Sequence, residues 1–303
     1  MKNIIEIKKL CKSYKDIKAV QDISFKVKEG EFFAFLGING AGKSTTISIM
    51  CGQLEKDSGE VYVDGKNILD SLDEIKREIG VVFQNSLLDK DLTVYENLKY
   101  RASLYGIHDL DFKNRLEQLV EWFDLKNILK RPLKSLSGGQ KRRVDIVRAL
   151  IHNPKILILD EPTTGLDPQT RKMVWEVIHM LRREKGLTVF LTTHYMEEAN
   201  DADYVVILDK GKIVGEGTPY YLKNTYAKDY ITLYKVKEED VKKLNLKYEA
   251  IRDGFKIEVS NTLEAKNLII ENPLLFEDFE IIKGQMDNVF LNITGKKLVG
   301  GNE

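Results

Sequence analysis

The chain has 303 residues, with 47 Lys plus Arg against 47 Asp plus Glu, 43% apolar residues and 31% charged ones. That length holds about two domains; the composition is that of a globular protein and excludes extended disorder. The zero net charge excludes the basic excess by which nucleic-acid binders hold their partner, and no nucleic acid is expected here.

The charge balance persists along the chain. Pro219 to Glu303 carries 13 basic and 14 acidic residues, so neither part is a charged tail. No apolar run reaches the ~18 residues that cross a bilayer, and the charges among the first apolar residues, Met-Lys-Asn-Ile-Ile-Glu, do not suit a secretory signal. Cys11 and Cys51 are too few for a metal cluster or a disulfide framework. Both read as small buried apolar residues in a reducing compartment.

Taken in order, the opening predicts strands over Ile4 to Leu10 and Val20 to Val27. Phe32-Phe33-Ala34-Phe35-Leu36 then predicts a strand buried on both faces. A glycine-rich turn leads into a helix from about Lys43 to Gly52. Glu60 to Asp64 reads as a hairpin arm and Gly80 to Phe83 as another buried strand ending at Gln84. From about residue 85 to 153 the pattern is helical. Thr93 and Glu96 have capping-box spacing, and Phe112, Leu116, Leu119, Val120 and Phe123 form one apolar stripe.

Strands return at Lys155 to Asp160, Leu187 to Thr193 and Tyr204 to Leu208, with helices from Pro168 and over Met196 to Asn200. Alternation of this kind builds a mainly parallel α/β sheet. After Pro219 the pattern becomes β-α-β-β-α-β, a split βαβ arrangement. The expected domains are therefore 1–218, with a helical subdomain over about 85–153, and a small accessory α/β domain over 219–303.

Gly37-Ile38-Asn39-Gly40-Ala41-Gly42-Lys43-Ser44-Thr45 satisfies G-x-x-x-x-G-K-[ST] between a buried strand and a helix, the context that this phosphate-binding loop requires. Its glycines let successive backbone N–H groups turn around the α- and β-phosphates, and the helix start adds its positive dipole end. Lys43 is expected to reach the β- and γ-phosphates, and Ser44 to ligate Mg2+. Four fixed positions match by accident in about one chain per hundred of this size. The partner such a loop needs is a carboxylate at the end of a buried strand, and Ile156-Leu157-Ile158-Leu159-Asp160 supplies one. Asp160 is the expected metal-side carboxylate, and Glu161, one position further out, the general base that orients water.

Leu136-Ser137-Gly138-Gly139-Gln140 stands between those motifs, just before a basic run, Lys141-Arg142-Arg143. With it the chain resembles the ATP-binding-cassette (ABC) ATPases, whose signature loop it matches letter for letter. The resemblance spans Ile4 to about Thr218, with Ile38 departing from the proline common in the family. It implies that Tyr14 stacks on adenine and that Gln84 contacts magnesium or the attacking water and couples to a transmembrane partner. It further implies that Gly165-Leu166-Asp167 is the D-loop and that His194 is the switch histidine at the γ-phosphate. Glu161 to Arg171 and the late Met286 to Gly295 resemble the ATPase subunits of daunorubicin-resistance-type exporters.

What the resemblance implies is a P-loop ATPase core with an antiparallel β subdomain and a helical subdomain, binding ATP and Mg2+. Two cassettes, identical or paralogous, would close head to tail around two ATP molecules, with Ser137, Gly138, Gly139 and Gln140 of one facing the nucleotide of the other. The chain would drive an integral membrane permease as a drug exporter, and lie in the cytoplasm on the inner face of the membrane. The rival is a soluble ABC ATPase acting on a non-membrane partner. Ribosome-acting relatives ordinarily carry two cassettes, and chromosome ATPases place a long coiled coil between Lys43 and Asp160, which here lie 117 positions apart. A non-enzymatic binding module would not need Lys43, Ser44, Asp160, Glu161 and His194 together.

Overall fold

The computed structural model describes residues 2–295. The chain divides into two compact units: residues up to His194 together with Ala202–Ile213, and Tyr195–Asp201 together with the residues from Val214 on.

In the first unit, β1 (Asn3–Tyr14) and β2 (Ile17–Lys28) form a long antiparallel hairpin, longer than the sequence pattern predicts. Their polar ends carry no apolar alternation, so pairing rather than burial extends them. β3 (Phe32–Leu36) runs into α1 (Lys43–Met50), and β4 (Ser58–Val63) and β5 (Lys66–Asn67) complete a four-stranded sheet in the order β2-β1-β4-β5. α2 (Leu72–Glu78) was not legible from periodicity, because Ile75 is its one buried residue. β6 (Ile79–Val82) follows directly.

The helical stretch resolves into α3 (Val94–Ser103), α4 (Asp109–Trp122) and α5 (Gly138–Leu150). Thr93 caps α3 as expected: its hydroxyl accepts from Glu96 N at 3.2 Å and the Glu96 carboxylate accepts from Thr93 N at 2.8 Å. The apolar stripe of α4 is buried, so it is packing. β7 (Ile156–Asp160), α6 (Pro168–Lys185), β8 (Thr188–Thr193) and β9 (Tyr204–Asp209) follow, and the chain passes from the first unit to the second within β10 (Lys212–Gly217).

β3, β7 and β8 are buried at every position, the pattern of strands covered on both faces. They belong to a parallel sheet in the order β9-β3-β8-β7-β6. Phe25, Phe33, Phe35 and Phe190 form the aromatic centre of this unit, Phe33 and Phe190 stacked with centroids 5.1 Å apart. Neighbouring parallel strands bring their carboxyl ends to one edge, where ligands bind in open α/β sheets. Leu36 lies opposite Thr193, Asp160 opposite Thr192 and Val82 opposite Leu159. The segments leaving β3, β8, β7 and β6 therefore meet at that edge.

In the second unit, residues Met196–Asp201 form a 3-10 turn rather than an α-helix, as suits so short a piece. α7 (Pro219–Tyr226) starts where Thr218 caps it, its hydroxyl accepting from Tyr221 N at 3.1 Å. Then come β11 (Asp229–Tyr234), α8 (Glu238–Lys242), β12 (Tyr248–Ile251), β13 (Gly254–Val259), α9 (Thr262–Glu271), β14 (Phe279–Ile282) and α10 (Met286–Thr294). The sheet order is β12-β13-β11-β14, antiparallel throughout, around a core that includes Ile231, Leu233, Ile257 and Phe276. This is the β-α-β-β-α-β order expected, with α7 and α10 in addition.

Candidate functional site

The turn after β3 is shaped by close backbone approach. Gly42, the residue before α1, has φ 107°, and a Cβ there would lie 2.3 Å from the Ala19 carbonyl oxygen. Only glycine meets both conditions at low cost. α1 therefore begins with Lys43 turned inward: 5% exposed, its ammonium donates to Gly37 O at 2.7 Å and Ile38 O at 3.3 Å. Ser44 is exposed beside it and Thr45 half-buried, on the open side of the turn, with Asn39 and Gly40 exposed. Burial pulls the Lys43 ammonium below its usual range, while the carboxylates of Glu161 and Asp160 act in the opposite direction.

Glu161 is the centre of the site. Its backbone N–H extends the ladder of β7 by donating to Thr192 O at 2.9 Å, and its φ of 49° then turns the chain sharply. Left-handed backbone at a non-glycine residue is sparsely populated and gathers at functional sites. The side chain, 8% exposed, lies with Oε1 3.7 Å from Lys43 Nζ and 3.1 Å from His194 Nδ1. Gln84 Nε2 donates to its other oxygen at 3.5 Å. Three side chains, from the start of α1 and from the segments that follow β6 and β8, thus converge on one carboxylate.

Asp160, at the last position of β7, accepts a hydrogen bond from the Thr192 hydroxyl of the adjacent strand. Thr192 is fully buried and was not singled out from the sequence; nothing in one Thr of a strand-forming run distinguishes it. Magnesium fits the donors present. Among the described residues no three His, Cys, Asp or Glu side chains converge on a closed metal cage. Mg2+ favours one or two carboxylates with water and phosphate oxygens as the remaining ligands; an oriented Asp160 and the hydroxyl of Ser44 suit that demand.

The signature turn is a helix N-terminus. Ser137 caps α5, its hydroxyl accepting from Gln140 N at 3.3 Å while Gln140 Oε1 accepts from Ser137 N at 3.1 Å. Gly138 and Gly139 occupy the first turn of α5, whose N–H groups have no acceptor within the helix. Gly138 is exposed. A Cβ on Gly139 would lie 3.8 Å from Asp167 Oδ2, so the signature turn and the D-loop are neighbours. Asp167 caps α6 by accepting from Thr170 N at 2.9 Å. Tyr14, the last residue of β1, is 45% exposed.

Arg142, read from the sequence only as part of a basic run, is deeply engaged. From α5 its Nε donates to Pro162 O at 2.6 Å, Nη1 to Phe83 O at 2.5 Å, and Nη2 to Glu161 O at 2.8 Å and Asp160 O at 3.0 Å.

A family model described as ABC transporter matches residues 20–164. The chain is 34% identical to the linearmycin resistance ATP-binding protein LnrL of Bacillus subtilis, covering 97% of this chain and 99% of that protein. It is 33% identical to the daunorubicin/doxorubicin resistance ATP-binding protein DrrA of Streptomyces peucetius, over 96% and 92%. Its match to the probable multidrug ABC transporter ATP-binding protein YbhF of Escherichia coli is 39% identical over 75% of this chain, but spans only 39% of YbhF. Among solved structures, a dimeric ATP-binding cassette in a post-hydrolysis state with ADP and Pi superposes with a TM-score of 0.66 at 31% identity, over 71% of this chain and 98% of the cassette.

Proposed function

The chain belongs to the ABC transporter family as one of its ATPases, and from that premise we propose that it drives a separate membrane permease as the ATP-hydrolysing subunit of an exporter of drugs or other hydrophobic compounds. One observation carries the catalytic part: the buried carboxylate of Glu161 held among Lys43, His194 and Gln84, one residue beyond Asp160. ATP lies along residues 37–45 with adenine against Tyr14. Water oriented by Glu161, His194 and Gln84 attacks the γ-phosphorus. Glu161 takes a proton from that water as the new P–O bond forms, the bond to the β,γ-bridging oxygen breaks, and ADP and phosphate result. Lys43 sets its charge against the β- and γ-phosphates. Ser44, Asp160 and Gln84 would hold the magnesium ion, which when bound neutralises charge on the β- and γ-phosphate oxygens.

The signature turn serves a second cassette, identical or paralogous. Ser137, Gly138 and Gly139 point the start of α5 outward, where the free N–H groups and the positive dipole end favour an anion. Charge-assisted hydrogen bonds from these groups to a γ-phosphate held by the partner's phosphate loop would close two cassettes head to tail. Hydrolysis removes that bridge and the pair opens.

Support for a permease comes from the face beside Gln84. A cavity of about 590 Å³ there is lined by Phe83, Leu87, Leu104, Tyr105, Arg77 and Arg101, among others. Leu87 and Leu104 are 60% and 73% exposed. A short amphipathic permease helix seated there would contact the segment carrying Gln84 and so sense the nucleotide. No helix among the described residues is long and apolar enough to cross a membrane. In this reading the permease holds the chain at the cytoplasmic face. LnrL and DrrA are named for resistance to linearmycin and to daunorubicin and doxorubicin, which supports a drug as the compound moved. The accessory domain of this reading takes in the described residues 219–295.

The test is co-expression with a tagged permease of the same exporter. The chain should copurify with it in detergent and show ATPase activity that responds to transported drug. Leu104→Glu should abolish copurification while leaving basal hydrolysis within about twofold. A fully active chain that never associates with a membrane partner would establish the soluble reading instead.

A further inference from the structure

Glu161 must hold its carboxylate among three neighbours from a backbone in the left-handed region, at 49° in φ. The protein needs a reason for that turn to persist. The carbonyls of Asp160, at the last position of β7, and of Glu161 and Pro162 just beyond it belong to residues that are all buried. Buried carbonyls require partners. All three are gathered by one guanidinium, that of Arg142, which also takes Phe83 O immediately before Gln84.

We propose that Arg142 is the positioning residue of the hydrolytic site, fixing the backbone from which Glu161 and Gln84 face the nucleotide. The inference rests on the assignment of Glu161 as general base. The geometry favours this role over simple packing for two reasons. The four acceptors are the backbone of the catalytic turn itself and of the residue preceding Gln84, not of distant core segments. The side chain also comes from α5, five residues after Ser137, so the helix that carries the signature turn holds the catalytic turn of its own chain. Lysine cannot substitute: a guanidinium presents five N–H donors in a rigid plane, an ammonium three on a flexible stem. Burial lowers the proton affinity of Arg142, and Asp145, Asp160 and Glu161 support its charge while Arg148 opposes it.

The experiment compares Arg142→Lys and Arg142→Gln with the parent, and repeats both in a Glu161→Gln background, using purified full-length chain, Mg2+ and ATP. Both substitutions should lower kcat at least tenfold and leave KM for ATP within about twofold, since neither touches the phosphate loop. In the Glu161→Gln background they should change the residual rate far less than in the parent, because the base is gone and only Gln84 is left to position. A parental kcat, a loss in KM matching the loss in kcat, or an equal further loss in the Glu161→Gln background would each overturn the proposal. Should Arg142→Gln fail to fold, Arg142→Lys decides on the same criteria. Glu161→Gln alone separates the two claims: if it hydrolyses ATP at the parental rate, the assignment of Glu161 fails whatever Arg142 does.

Discussion

The phosphate loop offers a graded perturbation, because three of its glycines are needed for different reasons. Gly40 has φ 80° with open space where a Cβ would stand, so Gly40→Ala introduces backbone strain alone; a non-glycine residue in that region costs roughly 1–2 kcal/mol. Gly37 has no positive φ, but a Cβ there would sit 2.6 Å from Leu208 O and 3.0 Å from the Ala41 Cβ. Gly37→Ala is therefore a purely steric insertion, at about 1–3 kcal/mol. Gly42 combines φ 107° with a 2.3 Å approach to Ala19 O, and the two costs together reach about 2–5 kcal/mol. Urea unfolding of each variant without nucleotide should rank Gly42→Ala as most destabilised and Gly40→Ala as least. Titration with a fluorescent ATP analogue should follow the same order, each 1.4 kcal/mol of distortion in the bound turn weakening affinity about tenfold. A Gly40→Ala variant as unstable as Gly42→Ala, or a Gly42→Ala variant of parental stability and affinity, would refute this account of the loop.

Two further perturbations address the sheet edge and the helical subdomain. Thr192→Val removes the hydroxyl that donates to Asp160; groups that orient a metal ligand are worth roughly 10-fold or more in metal affinity, so the Mg2+ concentration for half-maximal hydrolysis should rise by about that factor, and an unchanged requirement contradicts the role of Asp160. His152 stacks on Tyr105 with centroids 3.9 Å apart, and burial pushes its imidazole down to about 4 from the usual 6.5. Between those values the unfolded chain binds the extra proton, so this contribution to stability is complete above 6.5 and is lost as pH falls to 4, on the order of 3 kcal/mol at the acid end. His152→Phe keeps the ring stack and should flatten urea stability over that interval; an unaltered pH slope would show that His152 is not the group responsible.

Much of the site was legible because it lies where one residue type has one physical use. The phosphate loop and the carboxylate pair after an all-apolar strand each sit at a boundary between periodic patterns, the signature turn and His194 were legible through the family resemblance, and the parallel sheet brings all of these but the signature turn to one edge. What was not legible depended on three-dimensional partners. Arg142 is one of three consecutive basic residues, and its sequence says nothing of the four carbonyls it collects. Thr192 is one β-branched residue among several in β8. α2 buries a single side chain and so leaves no period, and β1 and β2 extend past their apolar cores because strand pairing carries them. Cys11, expected to be buried, is half-exposed, its Sγ accepting from Asp22 N at 3.2 Å. The Thr218-Pro219 cap of α7 could have been read from the sequence, since a Thr before a Pro is a helix-start signal.

In the proposed cycle Glu161 completes hydrolysis within a pair of cassettes closed by ATP. Glu161→Gln keeps the size and polarity of the side chain and removes the base. Light scattering on the purified variant, with and without Mg-ATP and beside a single-turnover hydrolysis assay, measures this directly. The expected result is an ATP-dependent dimer of about twice the 34.8 kDa chain mass, with turnover reduced by the roughly 10²–10⁴-fold typical of a lost general base. A variant that remains monomeric with ATP bound, or that hydrolyses ATP at the parental rate, contradicts it.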